Sequence, residues 1–301
     1  MPKFKLSSCK LAGMFLAIAL ILWPQGNAGA QNTDVFRVGW ITGGDPLLAA
    51  RLEPFVAHLQ KSLDRPVELF AARDGTVLID AIASDQIDYA ALSGTAYAIG
   101  QSLCNCLVPL ASPSTRDRQT HLRSVLLAKP ETDLSETTTL LAGQSADFLT
   151  NQVPNAALKN AEIKAVATEA VLEASPSLEA VFDIVSAGGD HPVFAWTYAQ
   201  AELEIVEKDE LSGFAAVLVN EVPTLEIVWQ SQPFRIAAHS VHRSVPDIDR
   251  QKLTQALVEI REEAPLAFDV ISPTLGGGFV PAAIGEYANY LSVINALPAD
   301  Q

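Results

Sequence analysis

Residues 88–97 read DYAALSGTAY. The apolar run from Tyr89 to Leu92 predicts a buried strand that ends at Ser93 and Gly94, where a helix begins. A strand that leads through a glycine turn into a helix N-terminus leaves backbone N–H groups pointing outward, which suits an anion or a polar ligand. An ordinary strand–helix turn has the same pattern, so the rest of the chain decides between the two interpretations.

Strands and helices alternate before this stretch. Residues 35–41 and 66–70 predict strands, separated by two short helices with Pro54 near the start of the second. Asp74 is a suitable N-cap for the helix that follows the second strand. The β-α-β-α-β-α order implies a parallel sheet with right-handed crossovers.

Polar residues follow each of these predicted strands. Asp45 comes after the first strand, Thr76 after the second and residues 93–97 after the third. In open sheets of this kind, ligands bind beyond the carboxyl ends of the strands. This convergence favours the interpretation of residues 88–97 as part of a binding site.

The second half of the chain repeats the β-α pattern. Residues 121–128 predict a strand that crosses between two lobes. Further strands are predicted at residues 140–142, 180–185, 214–219 and 225–229, and helices at residues 148–158, 162–179, 193–198 and 247–260. The loop 143–147 and the glycine-rich turn 186–192 each follow a predicted strand, so both are predicted strand-end loops.

The N-terminal residues have the pattern of a secretory signal peptide. Lys3, Lys5 and Lys10 are followed by an apolar run at residues 11–23 and a small-residue cleavage site at Ala30. We expect cleavage after Ala30 and export of the remaining chain. An uncleaved membrane anchor is less favoured because the run is short for a transmembrane helix. The formal net charge of −15 counts against nucleic acid or an anionic membrane surface as a partner.

Cys104 and Cys106 are the cysteines that remain after the predicted cleavage. In an exported protein they favour a local disulfide with a structural role, because no nearby His or Cys cluster completes a metal site. The sequence has no nucleophile-elbow, zinc-protease or phosphate-loop motif, and its five histidines are scattered. We therefore predict neither an enzyme nor a bound cofactor or metal.

Short segments spread over the whole chain resemble a known family. They are residues 36–39 with Asp45 and Pro46, and residues 66–69, 87–97, 123–125, 186–191 and 278–281. In order and spacing they resemble the periplasmic phosphate/phosphite/phosphonate-type solute-binding proteins of ABC transporters, which have the type II two-lobe fold. The resemblance implies an α/β fold in which each lobe is a mostly parallel sheet flanked by helices, and two crossing strands join the lobes.

The resemblance also implies a division of the chain. Residues 1–30 are the signal peptide, residues 31–122 and 235–301 form the first lobe, and residues 123–234 form the second. The ligand of the family lies in the cleft between lobes, where helix N-termini, hydroxyl groups and a tyrosine hold its anionic group.

The candidate ligand-binding residues lie on both lobes. They are Ser93, Gly94, Thr95, Tyr97 and Thr76 on the first lobe, and Asp147, Asp190 and His191 on the second. Tyr97 matches the family's tyrosine. The family's Ser-Thr-Ser run falls on residues 147–149, which are Asp, Phe and Leu. Because these side chains do not donate hydrogen bonds to a phosphonate oxygen, we expect a small polar or anionic ligand that need not be a phosphonate.

Some of these residues have ordinary structural interpretations as well. For Asp147 a helix N-cap is the more common role, and for Trp40 core packing is. His191 is suited to a turn before a proline. Tyr97 is either a ligand donor or an aromatic residue at the edge of the core.

Taken together, the sequence predicts a monomeric periplasmic solute-binding protein. Its lobes close over a small molecule by a hinge motion and pass it to an ABC permease in the inner membrane. One alternative is a sensor or accessory protein with the same fold. Another is a metal-ion binding protein that uses Tyr287 and Tyr290, since some two-lobe iron binders use paired tyrosines.

Overall fold

The computed structural model describes residues 35–163, 166–167, 169–200, 205–272 and 274–297. The predicted signal peptide therefore lies outside the described residues. The strands are β1 (Phe36–Ile41), β2 (Val67–Ala72), β3 (Tyr89–Leu92), β4 (Leu107–Thr115), β5 (His121–Ala128), β6 (Thr139–Ala142), β7 (Val171–Ala174), β8 (Val193–Ala199), β9 (Glu226–Gln230), β10 (Phe234–Arg235), β11 (Ala238–His242) and β12 (Gly276–Pro281).

The helices alternate with these strands. They are α1 (Pro46–Arg51), α2 (Glu53–Leu63), α3 (Gly75–Ala83), α4 (Gly94–Cys104), α5 (Val153–Lys159), α6 (Leu178–Ser186), α7 (Gly213–Glu221), α8 (Asp247–Glu263), α9 (Pro265–Ile271) and α10 (Ala288–Ala296). A π-helical turn at Phe148–Gln152 leads into α5. Among the described residues, no helix has the length and apolar character needed to cross a membrane.

The first sheet has the strand order β12-β4-β11-β3-β1-β2. Its β1–β2 and β1–β3 pairs are parallel, and its other three pairs are antiparallel. Apolar side chains of α2, α8 and α9 pack on one face, and those of α3, α4 and α10 pack on the other. The sheet is therefore buried on both sides, and its strand ends carry the loops that are exposed.

The second sheet has the order β10-β5-β8-β6-β7, with β9 also paired to β5. The chain passes from the first sheet to the second between β4 and β5, and it returns between β10 and β11. These two crossings give the α/β two-lobe architecture. The exact lobe boundaries at residues 122/123 and 234/235 stay a prediction.

Both sheets are mixed, which corrects the prediction that they are mostly parallel. In the second sheet β5 is antiparallel to β8, β9 and β10, and only the pairs made by β6 are parallel. The physical reason is the connectivity. Strands that enter a sheet from the other lobe do not arrive through a crossover helix, so the rule that makes βαβ units parallel does not apply to them.

The predicted elements of the first lobe are confirmed in type and close to their predicted bounds. Pro54 occupies the first turn of α2, where its missing N–H costs no helical hydrogen bond. The Asp74 carboxylate accepts a hydrogen bond from Val77 N at 3.0 Å and caps α3. Cys104 and Cys106 form the predicted local disulfide at the end of α4.

Four assignments in the second lobe are wrong. The predicted strand at residues 180–185 is helix α6, the predicted helix at residues 193–198 is strand β8, and the predicted strand at residues 214–219 is helix α7. Strand β7 lies in a segment that was predicted to be helical. Short apolar runs rich in valine and phenylalanine fit either structure, and only the tertiary packing decides.

Candidate functional site

The N-terminus of α4 has the predicted geometry. Strand β3 ends at Leu92, and Ser93 caps the helix because its Oγ accepts a hydrogen bond from Ala96 N at 3.1 Å. Ser93 itself is exposed, whereas Gly94 is buried. The first backbone N–H groups of an α-helix have no partner inside the helix, so this end of α4 offers donors to a ligand.

Gly94 is required here by a close approach of Tyr290. A Cβ atom placed on Gly94 would lie 2.2 Å from the ring of Tyr290, which is shorter than any ordinary contact. The Tyr290 hydroxyl donates a hydrogen bond to the carbonyl oxygen of Arg235 at 2.7 Å. The tyrosine thereby ties α10 to the chain segment that returns from the second lobe.

The loop after β6 contacts the same tyrosine. The ring of Phe148 stacks on Tyr290, with 4.7 Å between centroids and 28° between the planes. Phe148 also meets Phe234 edge-on at 5.0 Å. Gly94 and Phe148, one from each predicted half of the site, therefore both lie against the Tyr290 ring.

A pocket of about 330 Å³ lies beside Ser93 at the carboxyl ends of β1 and β3. Its walls are mainly apolar and extend to the crossing segment at residues 236–237; they include Trp40, Ser93, His239, Ile271 and Ser272. Among the residues that line it there is no Lys, Arg, Asp or Glu. The pocket is therefore apolar with a few hydroxyl groups.

Two polar side chains at this pocket are almost fully buried. The Ser272 hydroxyl is shielded from solvent and has no hydrogen-bond partner among the described residues. His239 Nδ1 is hydrogen-bonded to the Tyr89 hydroxyl. Burial lowers the pKa of His239 to about 3, so its imidazole is neutral at physiological pH.

The remaining candidate residues of the first lobe differ in their exposure to solvent. Thr76 is exposed at the start of α3, and Thr95 is half-buried in the first turn of α4. Tyr97 is only 1 % exposed, and its ring centroid lies 4.5 Å from that of Tyr287. The fourth residue of α4 therefore faces the core, and its hydroxyl has no hydrogen-bond partner among the described residues. A contact of Tyr97 with a ligand stays a prediction. Burial raises the pKa of Tyr97 to about 12.

The Asp147 side chain forms hydrogen bonds within its own loop. Its Oδ2 accepts hydrogen bonds from Gln144 N at 3.0 Å and from Thr150 Oγ1 at 3.5 Å. Its side chain therefore bonds to the loop as well as to the following turn, and makes no N-cap bond to a helical N–H. The carboxylate is half-buried and lines a second cavity together with Trp196.

Asp190 and His191 do not lie near Asp147. They precede β8 at its amino end, because the preceding element is helix α6 and not a strand. The Asp147 loop follows the carboxyl end of β6, which runs parallel to β8. Asp190 instead forms an exposed ion pair with Lys129, whose hydrogen bond holds the pKa of Asp190 below its usual range.

The two tyrosines of the metal-binding hypothesis, Tyr287 and Tyr290, are hydrogen-bonded to backbone carbonyl groups. The Tyr287 hydroxyl donates to the carbonyl oxygen of Ala237 at 3.3 Å, and both Tyr287 and Tyr290 are at least 95 % buried. Within the described parts of the chain, no group of three His, Cys, Asp or Glu side chains is placed to hold a metal ion.

Solved structures show where this architecture occurs. The Xanthomonas citri protein XAC2383 bound to chloride superposes with a TM-score of 0.57 at 15 % identity, covering 87 % of this chain and 98 % of that one. PhnD1 from Prochlorococcus marinus in complex with methylphosphonate gives 0.51 at 14 % identity, covering 88 % and 100 %. The Mycoplasma hyorhinis protein Mh-p37, a putative thiamine pyrophosphate transporter, gives 0.52 at 11 % identity, covering 85 % and 97 %.

At this identity the structural similarity establishes the fold alone. No curated protein sequence matches the chain. A family model described as "ABC transporter, phosphonate, periplasmic substrate-binding protein" matches residues 39–287, which is most of the chain and includes both lobes. The chain therefore belongs to the phosphonate family of ABC transporter periplasmic substrate-binding proteins, a family of binding proteins and not of enzymes.

Proposed function

We propose that this protein captures a small ligand in the cleft between its lobes and delivers it, as a monomer, to an ABC permease in the inner membrane. The observation that carries the proposal is the 330 Å³ pocket beside Ser93, at the carboxyl ends of β1 and β3. Pockets at this position of an open α/β sheet are the usual ligand sites. Membership of a substrate-binding family supports the same function.

The pocket favours a ligand with two unlike parts. A polar or anionic group fits next to Ser93, where the N-terminal N–H groups and positive dipole end of α4 favour negative charge. An apolar body fits against Trp40 and Ile271. Because no basic side chain lines the pocket, a compact dianion lacks the charge-assisted hydrogen bonds that bind such groups strongly.

A ligand series tests this proposal. Methylphosphonate and phenylphosphonate share a head group and differ in apolar body, so calorimetry should show tighter binding of phenylphosphonate. Trp40→Leu should remove most of that preference, and Ser93→Ala should weaken both compounds. Trp229→Leu changes a half-buried tryptophan of the second lobe and serves as the control. If neither compound binds, or if Trp40→Leu changes nothing, the pocket is not the ligand site.

One observation favours the alternative of a sensor or accessory protein. Phe148 stacks on Tyr290 at the place where the resemblance to the family implies hydrogen-bond donors. A protein that no longer exchanges ligand rapidly would tolerate such an apolar contact between its lobes. Deleting the gene and measuring uptake of the ligand separates the two functions: reduced uptake supports transport, and unchanged uptake supports the accessory role.

A further inference from the structure

The second lobe has a cavity of its own that the proposed ligand pocket does not include. It measures about 210 Å³ and lies between the loop after β6, the start of α6 and the middle of β8. Its walls are formed by Phe148, Leu149, Leu178 and Trp196, and its polar groups come from Asp147 and Thr150. It is thus an apolar cavity with a single carboxylate.

The charge of that carboxylate has no compensating partner among the described residues. Both donors to Asp147, Gln144 N and Thr150 Oγ1, are neutral groups. Asp147 thus differs from Asp88 and Asp190, which form ion pairs with Arg37 and Lys129. An uncompensated carboxylate at an apolar cavity favours a ligand that brings positive charge.

The Trp196 ring lines the same cavity and is held in a defined position. A Cβ atom on Gly213 would lie 2.1 Å from the ring, so the backbone of α7 contacts it directly. The Tyr198 ring meets it edge-on, with centroids 5.3 Å apart. Tryptophan is the aromatic residue that attracts cations most strongly, and aromatic walls are typical of sites for alkylated ammonium groups.

We propose that this cavity binds a small alkylated ammonium cation, with Asp147 as its counter-charge and Trp196 as its aromatic wall. The methyl or methylene groups of such a cation bury against Leu149 and Leu178, and a fully hydrated inorganic cation lacks that gain. The proposal stands apart from transport, because it requires only binding at the second lobe.

The probe for this site is choline, with 3,3-dimethyl-1-butanol as its neutral counterpart of the same shape. Calorimetry at low ionic strength is expected to show that choline binds. The affinity for the neutral compound should be lower by roughly tenfold or more. Asp147→Asn keeps an acceptor for Gln144 N but removes the charge, and should weaken choline binding roughly tenfold. Trp196→Leu keeps an apolar wall and should weaken it by roughly three- to tenfold.

Asp183→Asn is the matched control, since it makes the same charge change at an exposed position on α6. It should bind choline as the unchanged protein does. Equal binding of choline and the neutral compound, or unchanged choline binding by Asp147→Asn, would overturn the proposal. Circular dichroism shows whether each variant is folded. If Asp147→Asn does not fold, the binding of choline by Trp196→Leu provides the test. A negative result leaves the Trp40-dependent binding of phosphonates unaffected, so the two proposals fail separately.

Discussion

Phe148 of the second lobe lies stacked on Tyr290 of the first, with their ring centroids 4.7 Å apart. Because Tyr290 also packs on Gly94 and bonds to Arg235, one aromatic side chain connects the α4 N-terminus, the returning segment and the opposite lobe. Aromatic pairs of this kind contribute about 0.5–1.5 kcal/mol beyond the area they bury. The lobes therefore meet through an apolar contact at this point.

Removing the Phe148 ring should separate the lobes. We expect Phe148→Ala to increase the radius of gyration of the ligand-free protein in small-angle scattering. The free energy of unfolding should fall by about 1–2 kcal/mol, less than for a fully buried phenylalanine. Phe182→Ala removes a half-buried ring inside the second lobe and should lower stability without changing the radius. An unchanged radius for Phe148→Ala would show that other contacts hold the lobes.

The close approach of Tyr290 to Gly94 predicts a position-specific effect of added methyl groups. Gly94→Ala should lower the free energy of unfolding by about 1–3 kcal/mol, because the new Cβ overlaps the tyrosine ring. Gly75 is the equivalent first residue of α3, and the nearest atom to its Cβ is Ile41 Cδ1 at 3.8 Å. Gly75→Ala should therefore be neutral or stabilising by about 0.4–1 kcal/mol. Urea denaturation of both variants measures the difference, and similar values would contradict the predicted overlap.

Two buried histidines should make the protein less stable in acid. Burial lowers the pKa of His239 to about 3, and burial with the neighbouring Arg235 and Arg123 lowers the pKa of His121 to about 4, from an ordinary value of 6.5. Between these values the unfolded state binds more protons than the folded state, so stability rises with pH. We expect each histidine to remove about 1.4 kcal/mol per pH unit as the pH falls below about 6.5.

Urea denaturation at pH 7 and pH 5 measures this loss. His239→Gln should reduce the difference in unfolding free energy between the two pH values. The control is His191→Gln, which removes an exposed imidazole from the turn before β8 and should leave the difference unchanged. A wild-type protein equally stable at both pH values would contradict the prediction.

The Cys104–Cys106 bridge should contribute little to stability and nothing to ligand binding. It closes a loop over only two positions of sequence, so it restricts the unfolded chain weakly, by about 1–2 kcal/mol. It also lies at the far end of α4 from Ser93, roughly 16 Å along the helix axis. Thermal unfolding with and without dithiothreitol measures the first effect, and a Cys104→Ser/Cys106→Ser double variant should show no response to the reductant. Loss of ligand binding on reduction would contradict the assignment of a purely structural role.

The sequence predicts the first lobe better than the second for a physical reason. There, helix caps such as Asp74 and Ser93 and the proline at position 54 mark the element ends within a few residues. In the second lobe the runs at residues 180–185 and 193–198 have similar apolar content. Ser177 caps α6 as Asp74 caps α3, but this serine falls inside the helix predicted at residues 162–179, so its cap signal goes unused. The assignments of the two runs were exchanged, and the misplacement of Asp190 follows directly from that exchange.

The candidate site shows the same division between local and distant information. Ser93 and the start of α4 follow from a local pattern of ten residues. Gly94 and Tyr290, or Trp40 and His239, are about 200 residues apart in the chain, and no periodicity connects them. For the contact of Gly94 with Tyr290, the sequence contains one indication. A glycine at the start of a helix suggests that another part of the chain approaches it closely.

The strand order of the first sheet determines when that sheet is completed during synthesis. Strand β11 lies between β3 and β4. These two strands do not pair with each other, so each lacks this neighbour until residues 238–242 emerge. The strands of the second sheet, β5 to β10, all precede that point in the chain and can pair first. A nascent chain that stops short of β11 therefore exposes one unpaired edge of β3 and both edges of β4, whose other partner β12 comes later still. Unpaired edges are the type of surface through which incomplete proteins aggregate.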